Sequence, residues 1–216
     1  MVRLNLLFRL GQYRHSSSFY LFRCENQLYD KTNRKKIKFV DSLITTGNRN
    51  YANLSDRNYG IFKHDIIIMP IHFDHHWSLA VIENPELVLM ADGIAGDAHP
   101  KIYHYDSLTH KGYGHSKSVV SEVVNEFLEK AVSTVGGMLH ILPKLEKGDA
   151  FGTQDGSLDC GLFVCKFIEH IFQKASSDSI VFRRITQKDC TEFREEMITL
   201  LARLACHHSQ VREKYL

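Results

Sequence analysis

The sequence predicts an α+β fold, and three observations carry that expectation. A largely β-branched run, Ile66-Ile67-Ile68-Met69-Pro70-Ile71, suits a buried strand. Lys101 to Asp106 alternates Ile102, His104 and Asp106 against Tyr103 and Tyr105, the period of a second kind of strand. Further on, Val119, Val120, Val123, Val124, Phe127, Leu128, Ala131 and Val132 recur in pairs, the spacing of an amphipathic helix. Strands therefore precede the long helices instead of alternating with them, which separates α+β from a doubly wound α/β sheet.

Taken in order, the first 23 residues hold Arg3, Arg9, Arg14 and Arg23, three consecutive serines (Ser16 to Ser18) and no acid before Glu25. A mitochondrial presequence has that composition, as does an amphipathic opening helix or an irregular chain start. Gly47 to Asn58, Gly93 to Pro100 and Thr109 to Ser116 are polar and turn-rich loops. After the Ile66 run comes His72-Phe73-Asp74-His75-His76, then a strand over Trp77 to Ile82, a third over Lys101 to Asp106 and a fourth over Met138 to Leu142. The first long helix spans Ser118 to Val135, and a second begins near Cys160 with Leu162, Phe163, Phe167, Ile168, Ile171 and Phe172 apolar. A third follows the acidic, cap-like Asp189 and Glu192 and leads into Met197, Leu200, Leu201 and Leu204. Without a repeat, a Pro-rich or Gly/Ser-rich linker or a low-complexity tract, residues 1–216 read as a single domain.

Composition narrows the function classes. Hydrophobic residues at 44% and charged residues at 24% exclude a disordered or fibrous chain. The 27 basic and 25 acidic residues leave a net charge of +2, so nothing argues for nucleic acid as a partner. The longest apolar stretch, Ile66 to Ile71, is far short of the roughly 18 residues of a spanning helix, so no membrane partner is expected. Five cysteines (Cys24, Cys160, Cys165, Cys190, Cys206), odd in number and without a C-x-x-C pair, fit neither a disulfide framework nor a zinc ribbon; a reducing compartment is expected.

The phosphate-loop, dinucleotide, zincin and serine-elbow signatures are absent, which leaves a cysteine in a distinctive setting. Gln154-Asp155-Gly156-Ser157-Leu158-Asp159-Cys160-Gly161 is a polar, turn-forming run that ends on a thiol at the start of an apolar helix. Unpaired N–H groups and partial positive charge at a helix N-terminus favour thiolate over thiol. A thiol nucleophile needs a base, and the base needs an acceptor on its other ring nitrogen. His76 and Asp106, each at or near a strand end, are the candidates, with Asp92 and Asp97 as competing orienters in or beside a glycine-containing loop.

With Pro70-Ile71-His72 leading to His75-His76-Trp77-Ser78-Leu79, then Tyr105-Asp106-Ser107-Leu108, then Gln154 six residues ahead of Asp159-Cys160-Gly161, the chain resembles the ULP/SENP-type ubiquitin-like-protein proteases. These are cysteine peptidases that process and remove SUMO. The likeness is clear from Phe62 to Phe172, continues through Phe193 to Met197, and is faint at Phe19-Tyr20 and Lys38 to Leu43; residues 1–36 are atypical. It implies a papain-like fold, a central mixed sheet flanked by helices. It also implies Cys160 as nucleophile, His76 as general base and acid, Asp106 as its orienter, Gln154 as oxyanion donor and Trp77 as the cover of the substrate's Gly-Gly tail. Neither metal nor organic cofactor is implied. The expected partners are SUMO, or a related modifier, and its lysine-conjugated proteins, acted on by a monomer in the nucleus or cytoplasm, with mitochondria as the alternative. Two family features are missing: Gly11 to Arg14 stands where a Trp-Leu-Asn-Asp-like stretch belongs, and Leu54 or Ser55 where a second tryptophan belongs.

Plainer readings stand beside these. Cys165, among Phe163, Phe167 and Ile168, reads as core, and Asp159 as an aid to the start of the Cys160 helix. His72, His75 and His76 with Asp74 do not read as a metal set, because strand alternation sends adjacent residues to opposite faces and no second ligand group stands at zinc spacing. Asp74 is expected in a turn and His75 in a loop or solvent. Arg34-Lys35-Lys36-Ile37-Lys38 reads as a solvated basic face, with nuclear import as the alternative. The rival functions are the same chemistry on the neddylation modifier or ubiquitin, and a catalytically impaired modifier-binding module.

Overall fold

The computed structural model describes residues 7–8, 22–23, 36–40, 60–90, 99–108, 112–147, 152–156, 158–176 and 184–213. Two short strands, β1 (Leu7–Phe8) and β2 (Phe22–Arg23), pair antiparallel, so Leu7–Phe8 is not part of an opening helix. The main sheet has the order β3-β4-β5-β6-β7: β3 (Ile37–Phe39), β4 (Ile66–Phe73), β5 (His76–Glu83), β6 (Lys101–Tyr105) and β7 (Lys144–Lys147). β3 runs parallel to β4 and β7 parallel to β6, while β4–β5 and β5–β6 are antiparallel, so the sheet is mixed. The helices are α1 (Lys117–Thr134), α2 (Cys160–Ser176) and α3 (Gln187–Glu213). No described helix is long and apolar enough to cross a membrane.

The unbroken apolar run of β4 has a physical cause: the strand is covered on both faces. On one face Ile67, Met69 and Ile71 join Ala80, Ile82 and Ile102 against Val120, Val123, Val124, Phe127 and Leu128 of α1. On the other, Ile66, Ile68, Leu79 and Val81 pack on Phe163, Val164, Phe167 and Ile171 of α2. The ladder with β3 stops at Ile68, two residues before Pro70, so proline falls where one side of β4 is no longer paired in that ladder.

Asp74 and His75 join β4 to β5 with φ of 47° and 59°, both left-handed, and Phe73 faces His76 across them. A two-residue turn of this hand matches the twist of the paired strands and pins their register. Alternation then sends His76 and Ser78 to the α1 side of the sheet, with Ala80 and Ile82, and Trp77 to the α2 side, with Leu79 and Val81.

Two elements differ from expectation. Met138 to Leu142 is not a strand; Met138 and Leu142 are 70% and 60% exposed, and the fourth expected strand lies later, at β7. β7 is an edge strand whose sequence Lys-Leu-Glu-Lys is mostly charged, so apolar pattern points past it to its more hydrophobic neighbour. β3 has no sequence signal beyond the faint likeness around Lys38. The third helix begins at Gln187, earlier than the acidic pair implied. Thr186 is its cap: Thr186 Oγ1 accepts from Asp189 N at 3.2 Å, and Asp189 Oδ2 accepts from Thr186 N at 2.7 Å, a reciprocal capping box. Gly11 to Arg14, Phe19-Tyr20, Leu54, Ser55, Asp92 and Asp97 lie outside the described residues.

Candidate active site

His76 opens β5 and Asp106 directly follows β6, so neighbouring strands carry both to one end of the sheet. His76 Nε2 lies 2.8 Å from Asp106 Oδ1, and both residues are buried. Asp106 is held on all sides: Oδ1 also accepts from Leu108 N at 2.8 Å, and Oδ2 accepts from His115 N at 2.8 Å. Burial by itself would raise the Asp106 carboxyl, but His76 and these backbone donors outweigh it and keep it below the usual carboxylate range.

Cys160 is the first residue of α2 and is hydrogen-bonded to His76. With Nε2 committed to Asp106, the ring atom left for the sulfur is Nδ1. Burial opposes charge on both groups. Against it, His76 and the backbone N–H groups of Trp77 and Gly161 lower the thiol below its ordinary value. Hydrogen bonds and charge from Asp106 and Cys160 likewise overcome burial and push the imidazole up to about 9. The two opposite shifts favour a thiolate beside an imidazolium, the arrangement that a thiol nucleophile with an adjacent proton donor requires.

Gln154 is completely buried and is fixed at both ends of its amide. Nε2 donates to Gly156 O at 2.6 Å, an atom that can only accept, so the amide orientation is settled by its partners. Oε1 then faces Ser107, whose hydroxyl donates to it at 2.7 Å, while Gln154 N donates to Ser107 O at 3.1 Å. Gln154 thus joins the group through the residue that follows Asp106. Trp77 is half-buried, its ring 4.5 Å from that of His72.

Asp159 sits where the α2 cap should be, and its backbone oxygen accepts from Phe163 N at 3.0 Å. Its carboxylate is turned elsewhere, accepting from Gln187 Nε2 and Arg194 Nη2 of α3. Gln187 Oε1 also accepts from Asp155 N at 3.0 Å, so one α3 side chain holds the segment leading to Cys160 at two points. Cys165 is half-buried; Cys190 is fully buried and its thiol is pushed up to about 12 by burial and the nearby Asp159, which disfavours its thiolate form. Asp74 and His75 are exposed in the hairpin turn. Among the described residues, His104, Asp106 and His115 bring ligand atoms within 4.8 Å of one another. Asp106 and His115 are already engaged by protein partners, and no further described residue joins the set.

Ser107 stood in a motif block with no role of its own to read, and His115 and Gln187 carried no sequence signal, because each acts through a partner far along the chain. The comparison with known families is direct: residues 12–207 match the Ulp1 protease family, C-terminal catalytic domain. The chain belongs to the Ulp1 protease family. Its architecture, a mixed sheet between α1 on one face and α2 on the other, is the papain-like α+β arrangement expected of that family. Among relatives of this Ulp1-family chain, a sentrin-specific protease of Caenorhabditis elegans is 27% identical over 165 residues, covering 74% of this chain and 20% of that one. Sentrin-specific protease 2 of Homo sapiens is 27% identical over 143 residues, covering 66% and 21%. The chain spans between 20% and 49% of the length of the first curated relatives it matches. A solved structure, a de-sumoylating protease, superposes with a TM-score of 0.49 at 20% identity over 66% of this chain and 54% of that one, a likeness too low to add to the family assignment.

Proposed function

We propose that this chain is a cysteine peptidase that hydrolyses the bond after the C-terminal Gly-Gly of a ubiquitin-like modifier, with SUMO as the modifier. The observation that carries the reading is the chain of contacts from Asp106 Oδ1 to His76 Nε2 at 2.8 Å and from His76 to Cys160. Membership of the Ulp1 family and the names of its sentrin-specific relatives support the substrate class.

In this mechanism the Cys160 thiolate attacks the carbonyl carbon of the modifier's last glycine, and the carbonyl π electrons move to oxygen. Of the two N–H bonds on the Gln154 amide, one is spent on Gly156 O, and the other meets the oxyanion together with the Cys160 backbone N–H. Loss of one such donor costs about 100- to 1000-fold. The imidazolium of His76 gives its proton to the departing amine, the C–N bond breaks, and a thioester remains. Neutral His76 then takes one proton from water, whose oxygen attacks the thioester; the C–S bond breaks to leave the Cys160 thiolate, and the modifier's carboxylic acid leaves and gives its remaining proton to solvent. Trp77 lies over the Gly-Gly tail, a segment narrow enough to pass because it has no side chains.

Covalent labelling tests the reading. SUMO, ubiquitin and the neddylation modifier, each bearing a C-terminal electrophile, are incubated in parallel with the chain and with Cys160→Ala. Labelling by SUMO alone, lost in the variant, is the expected result; labelling by another modifier keeps the chemistry and replaces the substrate. Tight modifier binding with no labelling of a folded sample overturns the peptidase reading in favour of a binding module.

A further inference from the structure

His115 lies in the segment before α1 and is hydrogen-bonded at three points, each to a different part of the site. Its backbone N–H donates to Asp106 Oδ2 at 2.8 Å. Its ring Nε2 is 2.9 Å from Phe73 O, the last residue of β4 before the hairpin turn. Its Nδ1 is 2.7 Å from Ser78 Oγ on β5, two residues beyond His76. The ring also meets that of His76 edge to face, with centroids 4.8 Å apart at 68°. Because a carbonyl oxygen can only accept, Nε2 carries a hydrogen, and in the neutral ring Nδ1 accepts from the Ser78 hydroxyl. The fold therefore sets the tautomer of the neutral ring.

We propose that His115 is a positioning residue for the Cys160–His76–Asp106 site, clamping both sides of the hairpin that carries His76 while its own backbone holds Asp106. The inference rests on the reading of those three residues as the reacting set. His76 stands at the start of a strand beside an exposed two-residue turn, where strand ends are free to fray. Phe73 flanks one side of that turn and Ser78 follows the other, so one ring closes the hairpin from the α1 side. Burial, chiefly, lowers the His115 ring below its ordinary value, in keeping with a neutral tether beside a charged His76. The charged and titratable groups around it are His72, His76 and His104 on the strands, Asp106 directly after β6 and Asp74 in the turn. His104 Nε2, 3.8 Å from Asp106 Oδ2, is too far to do the same work.

The test uses the full chain with His115→Ala, His115→Gln and Ser78→Ala. Cys160 alkylation by iodoacetamide is followed against pH, alongside kcat and KM on a modifier substrate and thermal melting. In His115→Ala the alkylation midpoint rises by about 1 pH unit as His76 is less well held against the thiolate. Its kcat falls about 10- to 100-fold with KM within about twofold, as small misplacements at a reacting centre do. His115→Gln, whose amide N–H replaces the donor to Phe73 O, recovers part of both losses, and Ser78→Ala shows a smaller shift in the same direction. An alkylation midpoint unchanged in both His115→Ala and Ser78→Ala, whatever the melting temperature does, overturns the proposal. Because alkylation needs no modifier, a wild-type protein with a low midpoint that cleaves no modifier refutes the proposed function and leaves the role of His115 decided by the variants.

Discussion

Replacing Ser107 with alanine isolates the support of Gln154 from the chemistry itself. Ser107 is 1% exposed and its hydroxyl is the donor that meets Gln154 Oε1 at 2.7 Å, in a residue with no solvent access to compensate. Leaving that oxygen without its donor costs about 1–3 kcal/mol. For a chain of this size each kcal/mol moves the melting temperature by about 2–4 °C, so a mid-range cost of about 2 kcal/mol lowers it by about 4–8 °C. The amide keeps its other tie, Nε2 to Gly156 O at 2.6 Å, so it loosens without leaving. The rate loss therefore falls well short of the 100- to 1000-fold of a missing oxyanion donor, and we expect about 10-fold in kcat with KM little changed. Steady-state hydrolysis of a modifier with a fluorogenic C-terminal leaving group, with melting followed by calorimetry, measures both. A variant with wild-type kcat that melts within about 1 °C of the parent refutes the coupling of Ser107 to Gln154.

Asp106→Asn removes the carboxylate that helps hold the His76 ring at about 9. The ring's raised value means its charged form contributes stability fully below 6.5, and that this is lost as pH rises through about 9. In the variant the alkaline fall in cleavage rate moves to lower pH; a pH–rate profile whose alkaline limb stays near 9 rules this out. Gly152→Ala places a methyl 2.6 Å from Ile185 O and 2.8 Å from Phe163 Cε1, so the backbone bridge from Gly152 to Ile185 must give way. A cost of about 1–3 kcal/mol follows from such overpacking, and an unchanged melting temperature refutes it. Trp77→Ala lowers kcat/KM for a Gly-Gly-ended modifier while leaving iodoacetamide alkylation of Cys160 nearly intact, since the Trp77 contact to the thiol is through its backbone N–H. Equal loss in both assays places Trp77 with the nucleophile instead of with the substrate tail.

The elements that sequence determined by itself are those whose period is strong. β4 is legible because both of its faces are buried, and α1 because its apolar pairs repeat against one face of the sheet. Cys160, His76 and Asp106 were legible as residue types at element ends, in blocks that resemble a known family's, and the fold brings the three into contact. Edge strands were not legible. β3 and β7 exist through backbone register with β4 and β6, and a charged edge such as Lys144–Lys147 leaves little apolar pattern to read. The supporting shell was decided by tertiary structure alone. Ser107 meets Gln154 across 47 residues, His115 meets Ser78 across 37, and Gln187 meets Asp159 across 28. Local pattern records which face of an element is apolar, whereas a hydrogen bond between distant polar side chains exists only once the sheet and helices have set the distance between them.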